Sequence, residues 1–74
     1  MNVVLLRNGD KVVTETEAQI VKYFSEGHTT PQISVQMEIR ERTLEKRLEK
    51  LKASYGAKTL AHLVGIFLRD GIIE

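Results

Sequence analysis

Apolar residues recur at helical spacing in the middle of the chain. Leu44, Leu48, Leu51 and Tyr55 follow one another at steps of four, three and four. A helix gathers residues at these steps on one face, which must then pack against other apolar residues. The pattern predicts a helix over residues 40–55 with a buried leucine stripe. We expect the stripe to meet four apolar residues from the other helices: Ile20, Phe24, Ile33 and Phe67.

The other side of this helix carries two charged rows. Their members are Glu41, Glu45 and Glu49 in one row and Arg42, Lys46 and Lys50 in the other. One interpretation is a solvated helix with i,i+3 ion pairs, such as Arg42 with Glu45 and Lys46 with Glu49, each stabilising by about 0.2–0.5 kcal/mol. The alternative is a helix that lies against a nucleic acid, and the flanking sequence bears on that choice.

The N-terminal residues have the pattern of a hairpin. Residues 2–6 and 11–13 are β-branched or apolar runs that flank Asn8-Gly9, a dipeptide typical of type I′ turns. We expect two strands here. Since an isolated hairpin is marginal in water, it must cover the core or pair with a second copy of the chain.

Two capping boxes predict the starts of the first two helices. Thr14 is followed three residues later by Glu17, and Thr29 by Gln32. Gly27 suits the left-handed residue that ends the first helix. Because only residues 38–40 separate the short second helix from the third, the pattern predicts a helix-turn-helix.

A fourth helix is predicted to open at Lys58-Thr59 and close at 69–71, with its buried face formed by Leu60, Leu63, Val64 and Phe67. The predicted fold class is mainly α: a hairpin at 1–13, then a four-helix domain at 14–74.

Ile66 falls outside this stripe, so we expect it to face outward. A homodimer contact is then predicted at four residues of this helix: His62, Gly65, Ile66 and Arg69.

Composition narrows the function classes. The 74 residues include no cysteine and two histidines, so no thiolate or histidine metal site is expected. No apolar run approaches the length of a membrane span, and the start of the sequence lacks the basic region of a signal peptide. We therefore expect a soluble, cytoplasmic protein without membrane contact. No nucleophile is paired with a base and no glycine loop cradles phosphate. We expect no enzyme activity, cofactor or small-molecule ligand.

Charge is unevenly distributed. Residues 40–58 carry seven basic and three acidic side chains, a net +4, whereas the remainder carries four basic and seven acidic, a net −3. Such asymmetry orients one face toward a polyanion.

The motifs resemble the LuxR/GerE-type helix-turn-helix domain of bacterial transcription regulators. The family's L-T-x-R-E-x-E-V-L is similar to V-T-E-T-E-A-Q-I-V at 13–21, and its E-I-A-x-x-L-x-I-S to Q-I-S-V-Q-M-E-I-R at 32–40. Its T-V-K-x-H-x-x-x-I is similar to T-L-E-K-R-L-E-K-L at 43–51, and its tail to residues 63–73. The departures lie on the side that the family turns to DNA. Arg40 stands where the family has a serine, Glu45 where it has a lysine, and Arg47 where it has a histidine.

The resemblance implies a DNA-binding regulator with residues 40–55 as recognition helix in the major groove, acting as a dimer. The implied partners are double-stranded DNA, a second copy of the chain, and RNA polymerase or another regulator. Glu45 and Glu49 would be useful in the groove as acceptors from cytosine or by orienting a neighbouring cation. The alternative hypothesis is a protein-interaction adapter that keeps the fold without binding DNA. The candidate DNA-binding residues are Arg40, Arg42, Thr43, Glu45, Lys46, Arg47, Glu49, Lys50 and Lys58.

Overall fold

The computed structural model describes residues 5–8 and 11–74, with side chains from Val13 onward. In that part of the chain, two strands precede four helices: β1 (Leu5–Asn8), β2 (Lys11–Thr14), α1 (Glu15–Ser25), α2 (Thr30–Met37), α3 (Glu41–Tyr55) and α4 (Leu60–Arg69). The break between α2 and α3 confirms the expected mainly α, helix-turn-helix fold class.

The strands form an antiparallel hairpin in which Leu6 lies opposite Val13 and Asn8 opposite Lys11. Asn8 therefore belongs to the ladder, and its predicted place in the centre of a type I′ turn is wrong. A pair between residues 8 and 11 leaves 9 and 10 to connect the strands, and these lie outside the described residues, as do 2–4. Val13 is fully buried and β2 packs against α1, so the hairpin covers part of the core.

Threonine side chains cap the N-termini of three of the helices. Thr14 and Thr29 form the predicted capping boxes, and the amide nitrogen of Glu17 lies 3.1 Å from the Thr14 hydroxyl oxygen. Thr59 accepts from the amide of the third residue of α4 at 3.1 Å. In contrast, Arg40, the N-cap residue of α3, makes no side-chain capping hydrogen bond. The start of α3 therefore lacks a contribution of about 1 kcal/mol that such caps make.

The four helices end with one backbone motif. The residue after the last helical turn is left-handed, and the next amide donates back to a carbonyl five residues earlier. Three of these left-handed residues are glycines: Gly27, Gly56 and Gly71. The fourth is Glu38, with φ 55°, the one non-glycine residue of positive φ in the described segments. No local sequence pattern marks Glu38 for this conformation.

One core joins all four helices. α4 packs against both α1 and α3, and α2 packs against α3. The leucine stripe of α3 is buried as predicted, as are Ile20, Ile33 and Phe67, whereas Phe24 is only partly buried. The buried residues of the described segments are Val13, Ala18, Ile20, Val21, Ile33, Leu44, Leu48, Leu51, Leu63, Ile66, Phe67 and Ile73.

Ile66 corrects the predicted dimer surface. The residue is 6% exposed and belongs to the core of its own chain, so its predicted outward position is wrong. Since α4 is covered by α1 on one side and by α3 on the other, it buries a wider arc than a single stripe. Ile66 follows buried Leu63 by three residues and lies within that arc.

Tyr55 is the last residue on the inner face of α3. Its ring meets Phe67 edge to face, with centroids 5.2 Å apart. Burial raises the pKa of the Tyr55 phenol, and the negative charges of Asp70 and Glu17 raise it further. The phenol therefore stays neutral through the physiological range.

Candidate nucleic-acid interface

The buried leucines determine which side of α3 meets solvent. Leu44, Leu48 and Leu51 lie in the core, so the opposite side of the helix points outward. One open surface runs along it, lined by Arg42, Thr43, Glu45, Lys46, Arg47, Glu49 and Lys50. We call this set the α3 outer surface. It contains seven of the nine residues that the sequence analysis proposed for DNA binding.

The cations of the α3 outer surface are available to a ligand. Arg42, Lys46, Arg47 and Lys50 are all exposed. Among the side chains that the structure describes, ion pairs join Glu49 to Lys52 and Arg69 to Asp70, and none involves these four cations. A phosphate could therefore approach them without breaking an existing pair.

The predicted pairs Arg42–Glu45 and Lys46–Glu49 are wrong. Glu49 instead pairs with Lys52, with 2.8 Å between the carboxylate oxygen and the ammonium nitrogen. An exposed pair gains little, because ordering two long side chains offsets most of the attraction. Lys52 is only 24% exposed, against 73% for Glu49. Its stem is already restricted by burial, so pairing with it orders less additional chain.

The other two candidate residues lie beyond opposite ends of α3. Arg40 is exposed immediately before the helix, at its N-cap position. Lys58 is exposed in the connection to α4, where its backbone amide donates to the Nδ1 atom of His62 at 3.3 Å. Fifteen helical residues separate the two positions, a length of about 22 Å at 1.5 Å per residue. They could extend the surface at its ends, but they are not part of one cluster with it.

Lys52 is the residue that sequence reasoning missed. It follows Glu49 by three positions, which is pairing distance on a helix. The same spacing also fitted the two pairs that do not form, so spacing alone did not identify the partner. The deciding feature is the partial burial of Lys52, which a sequence pattern shows only weakly.

The α3 outer surface is carried by the second helix of the helix-turn-helix. A family model described as "GerE: Bacterial regulatory proteins, luxR family" matches residues 11–67, from β2 into α4. The chain belongs to this LuxR family. No curated protein and no solved structure matches the chain significantly. This family consists of bacterial regulatory proteins.

In this LuxR-family chain, the residues that keep the family pattern and those that depart from it occupy different places. Ile33, Leu44 and Leu51 keep the pattern and are buried. Arg40 and Glu45 depart from it and are exposed. The kept residues support the fold, whereas the departures alter the surface that a partner would meet.

The two histidines of this LuxR-family domain lie apart from the α3 outer surface. Among the described residues, no group of three or more histidine or carboxylate side chains could hold a metal ion. His28 lies in the α1–α2 connection, with its Nδ1 atom 3.1 Å from the Tyr23 carbonyl oxygen, and His62 is exposed on α4. No helix in the described part of the chain is both long and apolar enough to span a bilayer.

Proposed function

We propose that the protein is a bacterial transcription regulator that binds duplex DNA with α3 in the major groove. The observation that carries this proposal is the set of unpaired, exposed cations on a helix face that buried leucines hold in place. Membership of the LuxR family supports it, since domains of this family bind DNA. B-form DNA has a major groove about 12 Å wide, which admits one α-helix.

The cations divide into two groups by position. Arg42, Lys46 and Lys50 follow one another at four-residue steps and lie along one line of the helix. Arg47 flanks that line, and Arg40 precedes the helix. In the groove, the line faces the base edges and the nearer phosphates, while Arg47 and Arg40 contact the phosphate backbone on either side. Phosphate contacts of this kind position a protein without reading sequence.

Binding of a random-sequence duplex, measured against salt concentration, tests the proposal. Each phosphate contact releases counterions, so replacing Arg47 by Ala should lower the slope of log K against log salt by about 0.9. Lys22→Ala is the matched control, because it removes one cation from α1, which packs on α4. The control should leave the slope nearly unchanged.

Absence of duplex binding even at low salt would contradict the proposal. The adapter hypothesis would then be favoured, and RNA polymerase or another regulator would be the partner to test. Equal slopes for Arg47→Ala and Lys22→Ala would contradict only the placement of α3 in the groove.

The dimer remains a separate proposal, now without Ile66. His62, Gly65 and Arg69 are exposed on α4, as is Leu68, which is 48% exposed. An apolar side chain among small and polar residues is suited to a helix–helix contact between two copies. Sedimentation across micromolar concentrations should show self-association that Leu68→Glu weakens. A concentration-independent monomer would contradict the dimer.

A further inference from the structure

The three glutamates of α3 share one sequence spacing but not one environment. Glu49 is paired with Lys52 at 2.8 Å. Glu45 is exposed and makes no hydrogen bond or ion pair with any described side chain. Glu41 is also exposed, but it lies outside the α3 outer surface. Glu45 is therefore the unneutralised carboxylate of that surface.

Such a carboxylate is unfavourable near phosphates unless a hydrogen-bond donor meets it. Among the base edges of the major groove, cytosine offers an N4 amine. Adenine also offers an amine, but it stands beside the N7 acceptor, which repels a carboxylate. Guanine and thymine present acceptors there. A free carboxylate in this groove therefore favours cytosine over the other three bases.

The position of Glu45 on the helix fits contact with a base. It is the fifth of the 15 residues of α3, and recognition helices reach base edges mainly with their N-terminal residues. Arg42 lies three residues earlier on the neighbouring line, where its charge offsets the repulsion between Glu45 and phosphates. Glu49 lies one turn further along, and its carboxylate is already neutralised by the ammonium group of Lys52 at 2.8 Å.

We propose that Glu45 is the specificity-determining residue of α3, that it accepts a hydrogen bond from the N4 amine of a cytosine, and that Glu49 takes no part in base recognition. This inference rests on the proposed function, since it requires α3 to enter the groove.

Selection from a library of duplexes with randomised central bases tests the inference. Four proteins are compared: the wild type, Glu41→Gln, Glu45→Gln and Glu49→Gln. All three variants remove one negative charge from α3, so each should bind random duplex somewhat more tightly than the wild type. The wild type should prefer cytosine at one position by roughly fivefold or more.

The variants should differ in base preference. Glu45→Gln should lose the cytosine preference and gain adenine at the same position, because glutamine pairs with the N6 and N7 atoms of adenine. Glu41→Gln and Glu49→Gln should keep cytosine. Loss of the preference in Glu49→Gln, or its retention in Glu45→Gln, would overturn the inference.

Two further outcomes separate this inference from the proposed function. Salt-dependent binding without any cytosine preference would overturn the role of Glu45 and leave DNA binding intact. No duplex binding by any of the four proteins would overturn both. Circular dichroism of each variant verifies that these exposed substitutions leave the helices folded.

The role of Lys52 can be measured independently. Lys52→Met keeps most of the buried stem and removes the charge, which should weaken duplex binding more in the wild type than in the Glu49→Gln background. The difference arises because only the wild type then exposes an unneutralised Glu49. Equal weakening in both backgrounds would show that Lys52 does not neutralise Glu49.

Discussion

The two connections that flank α3 follow the same backbone course with opposite residue choices. After α2, Glu38 is left-handed and the amide of Ile39 donates to the Ser34 carbonyl at 3.0 Å. After α3, Gly56 is left-handed and the amide of Ala57 donates to the Lys52 carbonyl at 2.8 Å. Glycine adopts this conformation without strain, whereas a residue with a Cβ atom does not.

The difference continues into the helix that follows each connection. Thr59 caps α4 through its hydroxyl, but Arg40 gives α3 no side-chain cap. Both unfavourable choices, Glu38 and Arg40, thus fall within three residues of each other, at the entrance to the α3 outer surface. Proteins often break a local rule where a residue serves function. We therefore expect lower local stability where the proposed interface begins.

The largest expected effect tests whether the core, and not the connections, holds α3 in place. Replacing Leu48 by Ala removes a buried side chain and should destabilise the fold by about 2–5 kcal/mol. Lys46→Ala, on the exposed side of the same helix, should change stability by less than about 0.5 kcal/mol. Denaturant unfolding measures both, and a similar loss for the two variants would mean that the inner face is misassigned.

A side-chain cap added before α3 should stabilise the start of this helix as the threonine caps stabilise the other helices. Arg40→Ser supplies an acceptor for the first-turn amides and should stabilise by about 1 kcal/mol, while Thr29→Ala should destabilise by a similar amount. The same substitution removes a cation, so duplex binding should weaken even though the fold becomes more stable. If Arg40→Ser changes neither the stability nor the duplex affinity, then Arg40 has no role at the interface and the missing cap does not reduce stability.

The left-handed residues provide a smaller, reciprocal test. Glu38→Gly should relieve backbone strain and stabilise by about 0.5–1 kcal/mol, because the added flexibility of the unfolded chain offsets part of the gain. Gly56→Ala should destabilise through its φ of 66° alone, since a Cβ atom there meets nothing within 4 Å. Thermal unfolding compares the two. Loss of stability in Glu38→Gly would show that the Glu38 side chain itself stabilises the turn.

The smallest effect concerns pH at the α3–α4 connection, where Tyr55 precedes Gly56. Because the folded state raises the pKa of the Tyr55 phenol above 10.0, the folded chain holds this proton more tightly than the unfolded chain. The associated stability is complete below pH 10.0 and declines as pH rises toward the raised pKa. Tyr55→Phe should unfold with a shallower alkaline decline, and an unchanged decline would assign it to other groups.

The sequence predicted those features that depend on local spacing. The capping boxes at Thr14 and Thr29 and the leucine stripe of α3 are encoded within a few residues, and the structure confirms them. Ile66 and Lys52 were misjudged or missed because their environments depend on how far neighbouring elements cover them. Burial from two sides cannot be obtained from the periodicity of one helix.

The candidate interface was predictable to a similar degree. Residues on the exposed side of α3 were identified because the buried leucines define that side. Which charges of α3 neutralise each other was not predictable, since several pairs on this helix had suitable spacing and, among its described side chains, only Glu49–Lys52 forms. The role of the predicted hairpin edge in dimerisation, and the division at residues 13 and 14, stay predictions.

The missing cap at Arg40 should also affect how fast the amides of α3 exchange with solvent. Amides in the first turn of α3 can open to solvent by fraying of that end alone, whereas amides beside Leu48 and Leu51 open only when the core comes apart. Hydrogen exchange should therefore be fast at the front of α3 and slow toward its middle, while α1, with its capping box, should show a shallower gradient. The front of the proposed recognition helix is then the part that adjusts to a partner, and its back stays fixed to the domain.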